Sequence, residues 1–483
     1  MNYAIVLRLL SYILLTEGAL LLLPAAASLC YGEWFVMGVF LFTAALSAAL
    51  GALLHRIKTK SQIFYMREGF ATTALCWLLI SVVGAVPFVL TGCIPNPVDA
   101  LFETVSGFTT TGASILPGVE DLPKGILFWR SFTHWVGGMG VLVFLLAIAP
   151  SKGNEQGFTM HLLRAESPGP SVGKLVPKMR KTAAILYFLY IILTVLDILF
   201  LIVGGMPVFD AVCTSFGTAG TGGFGIKNDS IASYSPYLQN VTTVFMLLFG
   251  VNFSCYYLLT QRQIKNVLKD EELRLYVLIV LGSIGLIVWN LGDFYPTLEE
   301  TVRHAAFQVS SIITTTGFAT TDFDLWPSFS KTILLCLMVI GACAGSTGGG
   351  LKVARVLLLF KSLKRNIAQM LHPRKVQVIR NNGSVVSERI VANTNAYLCA
   401  YVVLMFGSFV LISLDGYSVG TNFSAVLSCL NNIGPGMELV GPTCNFSIFS
   451  AFSKLVLILD MLLGRLEIFP ILVLFSLQTW KNT

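Results

Sequence analysis

Long apolar runs separated by short polar or charged stretches dominate the chain. Runs with little or no charge cover residues 18–32, 34–55, 70–98, 131–151, 182–196, 234–260, 275–292, 332–351, 390–414 and 455–479. A helix needs about 20 residues to cross the roughly 30 Å hydrocarbon core of a bilayer. The first run reaches that length only if its helix starts near Ile5, which reads as a retained anchor. The last carries Asp460, Arg465 and Glu467. Ten spans are therefore predicted, in an all-α integral membrane fold.

Between these runs a second pattern recurs. Four segments pass through about ten residues, one half-membrane helix of roughly 15 Å, and end in a glycine-centred tract. They read Ser106-Gly-Phe-Thr-Thr-Thr-Gly112, Gly217-Thr-Ala-Gly-Thr-Gly-Gly223, Ser311-Ile-Ile-Thr-Thr-Thr-Gly317 and Ser428-Cys-Leu-Asn-Asn-Ile-Gly434. The terminal glycines recur at intervals of 111, 94 and 117 residues, and each interval holds two spans. The unit is span, re-entrant loop, span. It predicts four membrane-pore-membrane repeats with pseudo-fourfold symmetry plus two extra N-terminal transmembrane helices. The expected boundaries are 1–60 for the two N-terminal helices, then 61–155, 156–262, 263–366 and 367–483 for the repeats, the third with a mid-membrane glycine-rich loop. Non-helical backbone at membrane depth is tolerated only where protein encloses it or water fills the space it faces. Four such loops imply a shared cavity.

Composition agrees. Of 483 residues, 55% are hydrophobic and 12% charged, with a mean hydropathy of +0.76, so the bilayer is the natural solvent. The net charge of +7 is explained by its placement. Arg56, Lys58, Lys60, Arg67, Arg164, Lys174, Lys178, Arg180, Lys181, Arg262, Lys265, Lys269, Arg274, Lys361, Lys364, Arg365, Arg374, Lys375, Arg380 and Arg389 fall in alternate loops. The positive-inside rule then puts both termini in the cytoplasm, and the basic faces meet anionic lipid rather than nucleic acid. Ten scattered cysteines without a CxxC pair and five separated histidines give neither a disulfide framework nor metal-ligand spacing. No clustered nucleophile and base suggests an enzyme.

The tracts carry the expected chemistry. A terminal glycine takes positive φ freely, so successive carbonyl oxygens can be aimed inward. Rings of uncharged oxygens replace the hydration shell of an alkali ion without trapping it. A single Gly/Thr tract could serve only close helix packing; four in register favour a pore. The predicted filter comprises Thr110, Thr111, Gly112, Thr221, Gly222, Gly223, Thr315, Thr316, Gly317, Asn432, Ile433 and Gly434. Because the second and fourth loops lack the Thr-Thr-Gly of the others, carbonyls are expected to do the work, with Thr110, Thr111, Thr315 and Thr316 as supporting ligands. Residues 341–352, Gly-Ala-Cys-Ala-Gly-Ser-Thr-Gly-Gly-Gly-Leu-Lys, interrupt an apolar run. Three consecutive glycines cost a helix roughly 1 kcal/mol each against alanine, so this stretch is expected to unwind, either as a mobile plug or as a small-residue packing face. Asp460 and Glu467, seven residues apart, share a helix face in this reading. Arg465 sits beside the ion path, pins the glycine loop through carbonyls, or joins a buried ion pair.

Together, Thr109-Thr-Thr-Gly-Ala113, Thr221-Gly-Gly-Phe224, Thr314-Thr-Thr-Gly-Phe318, Asn431-Asn-Ile-Gly-Pro-Gly436, the tract at 341–352 and Gly464-Arg-Leu-Glu467 resemble the TrkH branch of the Trk/Ktr/HKT potassium transporters. The resemblance covers nearly the full chain, and the two extra N-terminal spans favour this branch over its shorter KtrB relatives. It implies potassium uptake across the inner membrane through one ion path, with filter glycines Gly112, Gly223, Gly317 and Gly434. It implies gating by Gly345, Ser346, Thr347, Gly348, Gly349, Gly350, Lys352 and Arg465. It also implies a homodimer and a cytoplasmic TrkA-type ring of nucleotide-binding regulatory subunits; potassium is cargo, and no organic cofactor is expected in this chain. The rival expectation is a secondary carrier coupling potassium to protons or sodium, which calls for carboxylates beside the site.

Overall fold

The computed structural model describes residues 3–57, 66–140, 179–292, 294–374, 377–476 and 480. Lys58, Lys60, Arg164, Lys174, Lys178 and Lys375, together with the ends of two predicted spans at 141–151 and 477–479, lie outside the described residues. The rest is almost wholly helical. In chain order the helices are α1 (Tyr3–Leu20), α2 (Leu22–Cys30), α3 (Trp34–His55), α4 (Met66–Leu90), α5 (Pro97–Phe108), α6 (Lys124–Gly138), α7 (Met179–Val203), α8 (Val208–Gly220), α9 (Pro236–Phe249), α10 (Phe253–Thr260), α11 (Ile264–Lys269), α12 (Glu271–Leu291), α13 (Leu298–Ile313), α14 (Ser328–Ile340), α15 (Val353–Leu371), α16 (Glu388–Ile412), α17 (Val419–Asn431), α18 (Ala451–Arg465) and α19 (Phe469–Phe475).

Six stretches among the described residues are long and apolar enough to cross a membrane: Tyr3–Cys30, Trp34–His55, Arg67–Leu90, Ala183–Val203, Glu271–Leu291 and Glu388–Asp415. The first run does extend to Tyr3, which resolves its apparent shortness. α1 and α3 lie together because small residues face each other. Gly18 packs on the Ala44 carbonyl, Gly51 on that of Ser11, and Ser47 Oγ donates to Leu14 O at 2.8 Å, the close approach expected between membrane helices. Leu278, Leu281 and Trp289 on α12 and Val403, Phe406 and Val410 on α16 stay exposed, an apolar exterior fit for lipid.

Three predicted spans are not straight. The run at 234–260 breaks into α9 and α10, bent by 89°. The cause is the glycine-rich stretch packed into the bend: Cys343 N–H donates to Gly250 O at 3.1 Å and Phe253 N–H to Gly345 O at 3.0 Å, while Asn252 Oδ1 caps α10 by accepting from Ser254 N–H at 2.9 Å. The run at 332–351 stops at Ile340, and helix resumes only at Val353. The last run stops at Arg465, because Glu467 and Ile468 adopt φ of 57° and 66° just before Pro470. Glu467 therefore does not share a helix face with Asp460, which corrects the sequence-based expectation. Its partner is Arg355 of α15.

Four helices are too short to span. α5, α8, α13 and α17 have 12, 13, 16 and 13 residues, about 18 to 24 Å of rise. Polar caps start three of them: Asn96 before Pro97, Thr297, and Ser418 accept the first free N–H groups of α5, α13 and α17, which otherwise have no partner.

Candidate functional site: a closed ring of four loops

Each short helix ends in the same way. Thr110, Thr221, Thr315 and Asn432 are left-handed, with φ of 56°, 55°, 59° and 56°. Their N–H groups donate three residues back, to Gly107, Thr218, Ile312 and Cys429. The next N–H, of Thr111, Gly222, Thr316 and Ile433, donates five residues back at 2.9, 2.9, 2.8 and 3.0 Å. This is the Schellman ending, whose left-handed position glycine usually fills. Threonine there costs about 1–2 kcal/mol, asparagine less, and such strain clusters at functional sites. Two residues on, Gly112, Gly223, Gly317 and Gly434 have φ of 78°, 70°, 86° and 99°.

The glycines are also where the loops meet. A Cβ on Gly112 would lie 1.9 Å from the Gly222 oxygen, one on Gly223 2.0 Å from that of Thr316, one on Gly317 2.2 Å from that of Ile433, and one on Gly434 2.8 Å from that of Thr111. Loop one abuts two, two abuts three, three abuts four, and four abuts one. The contacts close into a ring in which each glycine faces the carbonyl just before the next loop's glycine. Against it, a cavity of about 200 Å³ is lined by all four of these glycines and by Arg130 and Lys227, with no carboxylate in its wall among the described residues.

The next stretch of each loop ties the ring together in the same order. Val119 N–H donates to Asn228 Oδ1 at 2.8 Å, Ile231 N–H to Ala319 O at 3.0 Å and Phe446 N–H to Ser114 O at 2.8 Å, and Glu438 N–H to Asp324.

The side chains of the predicted filter residues are mostly engaged within the protein. Thr111 Oγ1 pairs with Thr109 Oγ1 at 2.8 Å and accepts from Asn432 Nδ2 at 2.9 Å. Thr316 Oγ1 pairs with Thr314 Oγ1 at 2.7 Å. Thr315 Oγ1 accepts from Gly349 N–H at 2.6 Å, and Thr221 Oγ1 donates to Gly220 O. Among these residues the Thr110 hydroxyl and Asn432 Oδ1 are buried without a hydrogen-bond partner.

The glycine-rich stretch lies against the ring. Gly348 sits on the Thr314 carbonyl and Gly349 on that of Asn431, with no room for a Cβ at either. Lys352 Nζ donates to Gly348 O, Ser346 Oγ to Cys343 O at 2.6 Å, and Glu272 accepts from Ala344 N–H at 2.5 Å. Gly345 and Gly350 have φ of 72° and 75°. Arg465 takes the carbonyl-pinning role among the three open to it: it donates to Thr347 O at 2.9 Å, to Gly138 O at 2.6 Å and to Gly137 O. It thereby joins the glycine-rich stretch to α6.

Three residues that hold the loops together are not among those singled out from the sequence. Glu103 and Arg130 are 0% and 2% exposed and form an ion pair at 2.8 Å. Glu103 accepts from Ser114 Oγ and Ile115 N–H, and Arg130 donates to Gly225 O at 3.2 Å, so the pair braces loops one and two. His134, a turn further along α6, touches both loops as well. Charges within apolar segments demand a partner, and that rule marks Glu103 and Arg130 as a pair worth seeking. His134 carries no such signal.

Residues 36–482 match the TrkH family model, described as a cation transport protein. The chain is 36% identical to the Trk system potassium uptake protein TrkH of Salmonella typhimurium and to that of Escherichia coli strain K12, in each case over the whole of both chains. It is 34% identical to the Trk system potassium uptake protein TrkG of Escherichia coli strain K12 over 95% of each chain. The crystal structure of the potassium transporter TrkH from Vibrio parahaemolyticus superposes over all of both chains with a TM-score of 0.88 at 32% identity. These are transport proteins rather than enzymes, and the ring of loops stands within a matched span that takes in every predicted filter and gate residue: the chain belongs to the TrkH family of cation transport proteins.

Proposed function

We propose that this chain takes up potassium across the cytoplasmic membrane through a gated, channel-like pore whose selectivity filter is the ring of four loops. The observation that carries the reading is the cyclic closure at Gly112, Gly223, Gly317 and Gly434, which brings four uncharged carbonyl edges together where no side chain fits. An alkali ion loses water there and gains oxygens of fixed spacing. The relatives named above, potassium uptake proteins by name, support potassium as the cargo. In this reading the chain is four membrane-pore-membrane repeats, at 61–155, 156–262, 263–366 and 367–483, behind two N-terminal helices at 1–60, with both termini cytoplasmic. Residues 345–350, Lys352 and Arg465 close the path below the ring, and release of the Arg465 bonds opens it. Two copies form a homodimer controlled by a cytoplasmic TrkA-type nucleotide-binding subunit.

The rival carrier reading requires a titrating carboxylate at the ring, and among the described residues the cavity beside it has none. The test is rubidium and sodium flux through purified protein in liposomes, alongside growth rescue of a bacterial strain that lacks potassium uptake. Rubidium entry with sodium excluded supports the proposal. Equal entry of both ions, or no entry from a folded protein, overturns it.

A further inference from the structure

We propose that His134 is a positioning residue for ion selection, its imidazole standing where the second loop lacks the threonine side chains that brace the first and third. The inference rests on the ring acting as the filter.

Aligned on their left-handed residues, the four loops place Thr109, Gly220, Thr314 and Asn431 just before that position and Thr111, Gly222, Thr316 and Ile433 just after it. In loops one and three the flanking threonines join hydroxyl to hydroxyl across the strained residue, at 2.8 and 2.7 Å. That bond fixes the peptide whose carbonyl meets the neighbouring glycine. Loop two has glycine at both places, so it carries no such bond and has the greatest backbone freedom of the four.

The vacated space is filled from α6. A Cβ on Gly222 would lie 2.3 Å from His134 Nδ1 and 2.6 Å from its Cε1, and one on Gly220 2.2 Å from the His134 carbonyl. The ring is fully buried. Phe224 N–H donates to His134 Nε2 at 3.2 Å. A backbone N–H can only donate, so Nε2 is the acceptor; Nδ1 then carries the hydrogen and donates to Gly107 O at 2.7 Å. One side chain thus ties loop two just past its glycine to the last turn of α5, the helix that enters loop one. Phe224 packs on the imidazole at 4.2 Å, and the Arg130 guanidinium stacks over the Phe224 ring at 4.2 Å. Gly137 seats α6 on the Phe108 carbonyl and Gly138 seats it on Gly220, so the histidine is presented from a helix wedged between two loops. Its position sets that of the Gly222 carbonyl, the oxygen that meets Gly112.

The test uses the full-length protein in liposomes and reads the potassium-to-sodium permeability ratio from reversal potentials. His134→Ala removes two buried hydrogen bonds and is expected to lower the ratio about tenfold while rubidium still passes. His134→Gln, which keeps a donor and an acceptor, retains most of it. Gly222→Thr alone collides with the imidazole and lowers the ratio too. Combined with His134→Ala it supplies a side chain like that of Thr111 and Thr316 in the space just cleared, so the double variant exceeds Gly222→Thr alone. Relief of the clash alone would restore the folded yield of the double variant but not its permeability ratio. A parental ratio in His134→Ala, or a double variant no better than Gly222→Thr, overturns the inference. If His134→Ala is not monodisperse, His134→Gln and Gly222→Ala decide: a ratio near the parent's in the first and lowered in the second supports it, and any other pattern overturns it. A parent protein that fails to select potassium defeats the filter reading instead.

Discussion

Gly317→Ala probes the ring at the junction of loops three and four. The new methyl group would stand 2.2 Å from the Ile433 oxygen, and real Cβ atoms do not approach below 3.0 Å. That carbonyl must therefore retreat by about 0.8 Å, against close-packed surroundings that resist such shifts. The backbone adds its own cost, because φ at Gly317 is +86°, where an L side chain is strained by about 1–2 kcal/mol. An interaction between a charge and a polar group is worth about 1.5–3 kcal/mol, so misplacing one of four carbonyls lowers discrimination by roughly 10- to 100-fold. The clash distances rank the series. Gly112→Ala and Gly223→Ala, at 1.9 and 2.0 Å, are the most damaging, Gly317→Ala follows, and Gly434→Ala, at 2.8 Å, is the mildest. Reversal potentials of purified variants in potassium and sodium gradients give the ratio, and size-exclusion profiles show that each is folded. A folded Gly317→Ala with the parental ratio, or a series in which Gly434→Ala is the worst, refutes the steric account.

Other substitutions address the gate, the brace and the rival mechanism. Arg465→Gln gives up the charged donor to Thr347, Gly137 and Gly138, and is expected to raise rubidium flux several-fold without the regulatory subunit; unchanged flux contradicts a latch. Arg130→Met leaves Glu103 buried and unpaired, a loss of about 3–5 kcal/mol, and should lower the melting temperature sharply in a thermal unfolding assay, whereas an unaltered melt removes the brace from the account. Asp460 accepts from Ser408 Oγ at 2.6 Å and takes no part in the glycine–carbonyl contacts of the ring, so Asp460→Asn should leave rubidium uptake within about twofold of the parent. A collapse of uptake in that variant, with normal folding, would revive proton coupling.

How far the chain can be read from its residues depends on the range of the interaction. The four terminal glycines are legible because positive φ and close approach select one residue type at one spacing. The left-handed turn two residues earlier is not, since Thr110, Thr221 and Thr315, unlike Asn432, are poor candidates by local preference and are held there by the loops around them. The unwinding at 341–352 follows from glycine's helix cost; the 89° bend opposite it does not, because its cause lies about ninety residues downstream in the chain. Glu467 is misplaced on a helix face by a periodicity argument that ignores the two left-handed residues ending α18. His134 stays hidden for a related reason. Its importance lies in what Gly220 and Gly222 lack, and only the packing of α6 brings the two together.

In the proposed function this chain is a potassium-selective path and not a coupled carrier. The reversal potential of the purified protein in liposomes tests it most directly, with potassium and proton gradients varied separately. A potassium-selective path gives a shift of about 59 mV per tenfold potassium ratio for a single monovalent charge and none with the proton gradient, whereas a potential that moves with pH at fixed potassium would contradict it.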